Sequence, residues 1–230
     1  MESAVTHRTE TAFIFDLDGT LIDSVYQHVL AWQEALTSER IDLSVWRIHR
    51  KIGMSGGLFT NMLLRETGAE FDSRRIERLQ HAHAEAYKRN IKSVRPLPGA
   101  RDLLHALRSA SIPFAIATSS RLETAAPALE TLEFDFSGTP IITRDQVKYA
   151  KPEPDLFLTA AERLHVGTEG ASVVGDSVWD MLAATRGRFL GIGLLSGGYG
   201  REELERSGAY RVFEDPADLL KHLDEVGGRR

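Results

Sequence analysis

The hydrophobic positions of the first hundred residues predict one short strand followed by helices. Residues 12–16 form an apolar run that ends at Asp16, as expected for a buried strand. The next apolar positions recur at three- and four-residue spacing: Val25, Val29, Trp32 and Leu36. Ser24, just before them, is expected to be the N-cap of this helix. Further helical patterns cover 44–50, 56–67 and 73–90, so residues 22–93 are expected to contain no strand.

The pattern changes at residues 94–100, where two prolines and a glycine indicate a boundary. Strands and helices then alternate, with strands expected at 113–118, 140–143, 171–175, 189–194 and 210–213. Helices are expected at 100–110, 121–132, 153–165, 178–187, 201–207 and 216–226, and Pro127 suggests a kink or a later start in the second of these.

Strict alternation of strand and helix is typical of a parallel sheet with helices on both faces. We therefore predict an α/β, Rossmann-like fold in which an all-helical domain is inserted after the first strand. Residues 1–21 and 94–230 are expected to form the core domain, and residues 22–93 the inserted domain.

Composition narrows the classes of function. The 230 residues include 33 acidic and 28 basic ones, for a net charge of −5, which argues against a general nucleic-acid binder. The sequence contains no cysteine, which excludes disulfides and thiolate chemistry. Neither a signal-peptide pattern nor an apolar stretch of membrane-spanning length is found. The expectation is a cytoplasmic protein without a membrane partner.

Polar side chains follow four of the predicted strands. They are Asp16 and Asp18; Thr118, Ser119 and Ser120; Lys151; and Asp176 with Asp180. In a parallel sheet the carboxyl ends of the strands meet at one edge, where ligands bind. Clustered carboxylates repel each other unless a cation neutralises them, and oxygen ligands favour Mg²⁺. The lysine and the hydroxyl groups suit phosphate oxygens, so the pattern predicts a phosphate bound beside Mg²⁺.

The segments "DLDGTLIDS", "ATSS", "KPEPD" and "GDSVWD" resemble, in order and spacing, the motifs of the haloacid dehalogenase-like hydrolase superfamily. The resemblance implies that the helical insertion is a cap domain. It also implies a covalent mechanism in which Asp16 attacks phosphorus and Asp18 acts as general acid and base. Thr118 and Lys151 would then contact the phosphoryl group. Mg²⁺ would be held by Asp16, Asp176 and the main-chain carbonyl of Asp18.

Asp18 favours phosphate-ester chemistry within this superfamily, because a leaving alkoxide needs an acid and a leaving halide does not. The leading hypothesis is a phosphatase acting on a small phosphorylated metabolite. A sugar-phosphate mutase of the β-phosphoglucomutase type would use the same residues, and a non-catalytic phosphate-binding protein is a more distant alternative. The substrate and the oligomeric state are not identified by the sequence.

Several assignments remain open at this stage. Asp180 could support the metal site, orient Lys151, or be an ordinary acidic residue of a first helical turn. Either Thr118 or Ser119 could face the phosphate, and Ser120 is expected to be a helix cap. The stretch 47–57 could cover the mouth of the site, with Arg47, Lys51 and Gly53 contacting substrate, or be a solvated helix face.

Overall fold

The computed structural model of the protein describes residues 11–68 and 72–228. Residues 1–10 and 229–230 of the predicted core domain, and residues 69–71 of the predicted inserted domain, lie outside this range. Among the helices of the described residues, none combines the length and the apolar character required to cross a bilayer.

In the described residues, six parallel strands form the main sheet in the order β5-β4-β1-β6-β7-β8. They are β1 (Ala12–Phe15), β4 (Phe114–Ala117), β5 (Ile141–Ile142), β6 (Ala171–Gly175), β7 (Leu190–Leu194) and β8 (Ala209–Phe213). The central position of β1 explains its unbroken apolar sequence, because both of its faces are covered. This sheet confirms the predicted α/β class.

The helices of the core follow the strands along the chain. They are α5 (Ala100–Ser109), α6 (Leu122–Glu130), α7 (Asp155–Leu164), α8 (Val178–Gly187), α9 (Arg201–Arg206) and α10 (Pro216–Lys221). Pro127 lies inside α6. Side chains alternate across β1, so that Phe13 and Phe15 pack with the α5 side and Ile14 packs with the α7 side of the sheet. The two faces of the sheet thereby form two apolar cores.

The helical insertion contains α1 (Val25–Ser38), α2 (Val45–His49), α3 (Gly56–Thr67) and α4 (Ser73–Asn90). It has an apolar core of its own, in which Trp32, Ile48, Phe59 and Leu79 are buried. The expectation that residues 22–93 contain no strand was wrong. Ile22–Asp23 (β2) pairs antiparallel with Arg95–Pro96 (β3), so a two-stranded ribbon lies where the chain enters and leaves the insertion. A ribbon of two residues per strand is too short for sequence periodicity to reveal.

Candidate active site

The carboxyl ends of β1, β4 and β6 meet at one edge of the sheet, as the sequence predicts. Asp16 directly follows β1, and its backbone N–H donates to the carbonyl of Val174 in β6 (2.9 Å). Thr118 follows β4 in the same way and donates its N–H to Ile142 (2.9 Å). The sheet therefore fixes the backbone of both residues, and their side chains start from rigid positions.

Lys151 lies at the centre of the buried charges. Its ammonium pairs with the Asp16 carboxylate, and its Nζ lies 2.8 Å from Oδ1 of Asp180. Lys151 and Asp180 are completely buried, and Asp16 nearly so. Burial lowers the pKa of the Lys151 ammonium, but Asp16 and Asp180 outweigh that effect and raise it. The lysine is therefore held in its charged form between the two carboxylates.

Asp180 combines two of the roles that the sequence left open. Its Oδ2 accepts a hydrogen bond from the N–H of Ser177 (3.1 Å), and its own N–H donates to the Ser177 hydroxyl oxygen (3.4 Å), which together form a capping box at the start of α8. The Ser177 hydroxyl also donates to Oδ2 (2.5 Å). Its Oδ1 faces Lys151. Asp180 is thus a first-turn acid of a helix and also orients Lys151.

Asp176 follows β6 and completes a cluster of three buried carboxylates. Oxygen atoms of Asp16, Asp176 and Asp180 lie within 4.8 Å of one another, and the Thr20 hydroxyl donates to Asp176 (3.0 Å). Two glycines crowd this carboxylate. A Cβ at Gly19 would lie 2.4 Å from Oδ2 of Asp176, and a Cβ at Gly197 only 1.8 Å from it.

The donor set of this cluster fits a divalent cation. Three carboxylates stand against one ammonium. Burial and the nearby carboxylates together raise the pKa of Asp16 to about 7 and the pKa of Asp176 well above its usual value, and Lys151 opposes this only in part. The protein alone thus leaves negative charge uncompensated among oxygen-only ligands, which is the setting that Mg²⁺ occupies in proteins.

Asp18 is surrounded by hydrogen-bond donors. Its Oδ1 accepts from the hydroxyl of Ser24 (2.7 Å) and from Nε2 of His28 (3.2 Å), and its Oδ2 accepts from the hydroxyl of Ser120 (3.0 Å). Burial raises the pKa of Asp18, but the charge and hydrogen bond of His28 and the two hydroxyl groups outweigh it and lower the pKa to about 2.

These contacts bear on two predicted helix caps. Ser24 stands at the N-cap position of α1, as predicted, but its side chain makes no capping hydrogen bond. The N-cap position of α6 is occupied by Arg121 rather than Ser120. Both serine hydroxyls bind Asp18 instead, because the end of β1 brings that carboxylate between the starts of the two helices.

His28 is a member of the site that the sequence analysis missed. It lies one helical turn after Ser24 on α1, so the two side chains share a helix face. Its Nδ1 lies 3.1 Å from Nε2 of His83 in α4, and its ring stacks on Tyr87 at a centroid distance of 4.0 Å. Burial lowers the pKa of His83 well below its usual value. The sequence did contain a signal for His28. It lies four residues after Ser24, so a helix that begins directly after the Asp18 turn places both side chains on the face next to Asp18.

A cavity of about 490 Å³ opens in front of these residues, between the core and the helical insertion. Asp16, Asp18, Thr118 and Ser119 line it from the core side. The Thr118 hydroxyl accepts a hydrogen bond from the N–H of Ser120 (3.0 Å), and the Ser119 hydroxyl donates to the carbonyl of Gly53 (3.0 Å). Ser119 thus contacts the insertion.

The residues predicted from stretch 47–57 take different positions. Lys51 and Gly53 line the cavity, whereas Arg47 lines a separate cavity within the insertion. Nε2 of His49 donates a hydrogen bond to the carbonyl oxygen of Gly197 (2.8 Å). Arg50 pairs with Glu203. His49 and Arg50 therefore bind the insertion to the core rather than lining the cavity.

Gly53 stands where the backbone needs a glycine. Its φ is +92°, and a Cβ there would lie 2.9 Å from the hydroxyl of Ser177. The N–H of nearby Ser55 donates to the carbonyl of Lys151 (3.0 Å). The loop that carries Gly53 thus packs directly on the segments that hold the buried charges.

Comparison with known proteins agrees with the geometry. A model of the haloacid dehalogenase-like hydrolase family matches residues 10–187. The chain belongs to this family. A hydrolase from Pseudomonas syringae superposes with a TM-score of 0.92, with 54% identity over 94% of this chain and 99% of that one.

Two curated relatives have named activities. The β-phosphoglucomutase of Bacillus subtilis is 30% identical over 92% of both chains. A phosphoglycolate phosphatase of Xylella fastidiosa is 32% identical over 74% of both chains. The family therefore includes both a mutase and a phosphatase at similar distance from this protein, and identity alone does not choose between the two reactions.

Proposed function

We propose that this protein is a Mg²⁺-dependent phosphatase that hydrolyses a small phosphorylated metabolite through an aspartyl-phosphate on Asp16. The observation that carries the proposal is the buried set of Asp16, Lys151, Asp176 and Asp180 at one end of a 490 Å³ cavity, with Asp18 beside it. Phosphoryl transfer requires mainly positioning and neutralisation of oxygen charge, which this set provides.

In the first half of the proposed reaction, a carboxylate oxygen of Asp16 attacks phosphorus. The bond between phosphorus and the alcohol oxygen breaks, and Asp18, which is ionised at rest, passes a proton from Nε2 of His28 to that oxygen. Lys151 balances the charge of Asp16 and of the phosphoryl group, and the Thr118 hydroxyl hydrogen-bonds a phosphoryl oxygen. When bound, Mg²⁺ would neutralise phosphoryl oxygens from a site formed by Asp16, Asp176 and the main-chain carbonyl of Asp18.

In the second half, ionised Asp18 takes a proton from water, and the water oxygen attacks phosphorus. The bond to Asp16 breaks, inorganic phosphate leaves, and Asp16 is regenerated. The donors Ser24, His28 and Ser120 stabilise the ionised carboxylate that this step needs. They also hold it at a fixed place beside Asp16, which supports a role for Asp18 in proton transfer.

We also propose that the insertion, residues 22–93, is a cap that closes over the substrate and excludes water. The contacts of Gly53 and Ser55 with the core support this assignment. A cytoplasmic location belongs to the same proposal, because a chain without cysteine is compatible with a reducing compartment.

The test is phosphate release from an aryl phosphate with Mg²⁺, with EDTA, and with the Asp16→Asn variant. We expect release only from the wild-type protein with Mg²⁺. Activity that survives in Asp16→Asn would refute the covalent mechanism. Beryllofluoride with Mg²⁺ should form a stable mimic of the phosphorylated protein, and failure to do so would favour a non-catalytic role.

A mutase remains the second candidate because of the similarity to the Bacillus subtilis enzyme. A mutase would return the phosphoryl group to the sugar instead of water. Incubation with a hexose 1-phosphate distinguishes the two, since a phosphatase releases inorganic phosphate and a mutase forms the 6-phosphate.

A further inference from the structure

The wall of the cavity that faces the leaving group is supplied by the helical insertion, and one of its lining residues is a buried lysine. Lys51 is only 4% exposed, and its Nζ donates to Oε1 of Glu66 (2.7 Å) and to the carbonyl of Arg47 (3.3 Å). Glu66 also lies 3.8 Å from the Arg47 guanidinium. The positive charge of Lys51 is therefore already compensated by a carboxylate of the same domain.

The two arginines of the lining belong to the core side. Arg121 pairs with Asp145 (3.2 Å), and Arg144 donates to the carbonyls of Val147 and Lys148. The insertion itself adds the carboxylate of Glu77 to the cavity wall. Among the residues that the structure describes, the insertion thus offers the leaving group no lysine or arginine without an acidic partner.

An anionic group against the wall that the insertion supplies would lose water and gain no lysine or arginine counter-charge there, which is costly. A hydroxylated, uncharged group has suitable partners, because Gln80 and Glu77 offer hydrogen-bonding groups and Trp32 and Phe59 offer apolar surface. We propose that the Lys51–Glu66 pair makes the enzyme selective for phosphomonoesters whose alcohol carries no second anionic group. This inference rests on the proposed phosphatase function and names the substrate class of that site.

Matched substrate pairs test the proposal at pH 8, where an unperturbed histidine is neutral. Glucitol 6-phosphate and 6-phosphogluconate differ only by a hydroxymethyl group against a carboxylate, as do glycerol 3-phosphate and 3-phosphoglycerate. We expect the wild-type protein to prefer the uncharged member of each pair by about tenfold or more in kcat/KM, the size of one lost hydrogen bond to a charged group. Equal rates within the pairs, or a preference for the acids, would overturn the proposal.

The Glu66→Gln variant removes the counter-charge and leaves Lys51 free to bind a carboxylate. We expect the preference for the uncharged substrates to fall about tenfold, and the double variant Lys51→Met/Glu66→Gln to restore it. Glu85→Gln, which removes a carboxylate from the outer surface of α4, is the matched control and should leave the preference unchanged. A folded Glu66→Gln protein with the wild-type preference would contradict the role of the pair.

A second variant keeps the test decisive if Glu66→Gln does not fold. Glu77 lies on the exposed side of α4, and Glu77→Gln should lower the preference several-fold, since it removes the negative charge of the wall; an unchanged preference would contradict the proposal. Failure of the proposed function is distinguishable, because it would appear as no phosphate release from any compound, including the aryl phosphate.

Discussion

Gly197 offers a sharp test of the metal site. The Gly197→Ala change adds one methyl group at a residue outside the left-handed backbone region, so alanine can adopt the local conformation. The added Cβ would lie 1.8 Å from Oδ2 of Asp176, whereas real Cβ atoms essentially never approach another heavy atom within 3.0 Å. The loop or the carboxylate must therefore move by more than 1 Å.

A displacement of this size exceeds the tolerance of a catalytic group, which is about 0.5 Å. A misplacement of about 1 Å can reduce a rate by about 10²-fold. We expect Gly197→Ala to lower kcat/KM by about that factor and to weaken Mg²⁺ binding, because Asp176 is a proposed ligand. Isothermal titration with Mg²⁺ and phosphate release from an aryl phosphate measure the two effects.

Gly200→Ala is the matched control in the same loop. Its Cβ would meet only the Glu203 side chain, at 3.4 Å, which is an ordinary contact. We expect its Mg²⁺ affinity and activity to stay close to those of the wild type. Wild-type Mg²⁺ affinity in a folded Gly197→Ala protein would refute the reasoning, since it would mean that the clash is relieved without displacing Asp176 from the metal site.

Three further changes test other contacts. His28→Phe keeps a ring stacked on Tyr87 but removes the hydrogen bond to Asp18, and kcat should fall about 10- to 100-fold with unchanged Mg²⁺ affinity; an unchanged kcat would contradict a positioning role. Lys151→Met leaves buried carboxylates without their ammonium, and the free energy of unfolding in urea with EDTA should fall by about 3–5 kcal/mol; a loss below about 1 kcal/mol would contradict the burial argument. A double-mutant cycle of Arg50→Ala and Glu203→Ala should give a coupling energy below about 1 kcal/mol, because both side chains are more than a third exposed; a value above about 2 kcal/mol would show that this contact is stronger than a surface ion pair.

The residues at the strand ends could be predicted because the sheet itself determines their meeting. Once the alternation of strand and helix fixes a parallel sheet, Asp16, Thr118 and Asp176 follow strands that end at the same edge. No information about side-chain partners is needed for that step. The same reasoning located Lys151, which lies in the loop before α7 and whose long side chain reaches the cluster.

The hydroxyl groups of Ser24 and Ser120 could not be assigned in this way. A serine next to a helix can cap the local backbone or bind a distant side chain, and both options are compatible with the same sequence. The choice depends on the position of Asp18, which in turn depends on the packing of α1 and α6 around the end of β1. Arg47 and Lys51 present the same difficulty, since their partner Glu66 lies on another helix.

Under the proposed function, the contacts between the insertion and the core connect substrate recognition with the charge balance of the buried site. The N–H of Ser55 holds the carbonyl of Lys151, whose ammonium holds Asp16 and Asp180. The same loop begins at Lys51, which is held by Glu66. A change in the wall of the cavity can alter the leaving group that fits without touching the buried charges. A change that moves the loop as a body, in contrast, reaches Lys151 and must affect the chemical step for every substrate.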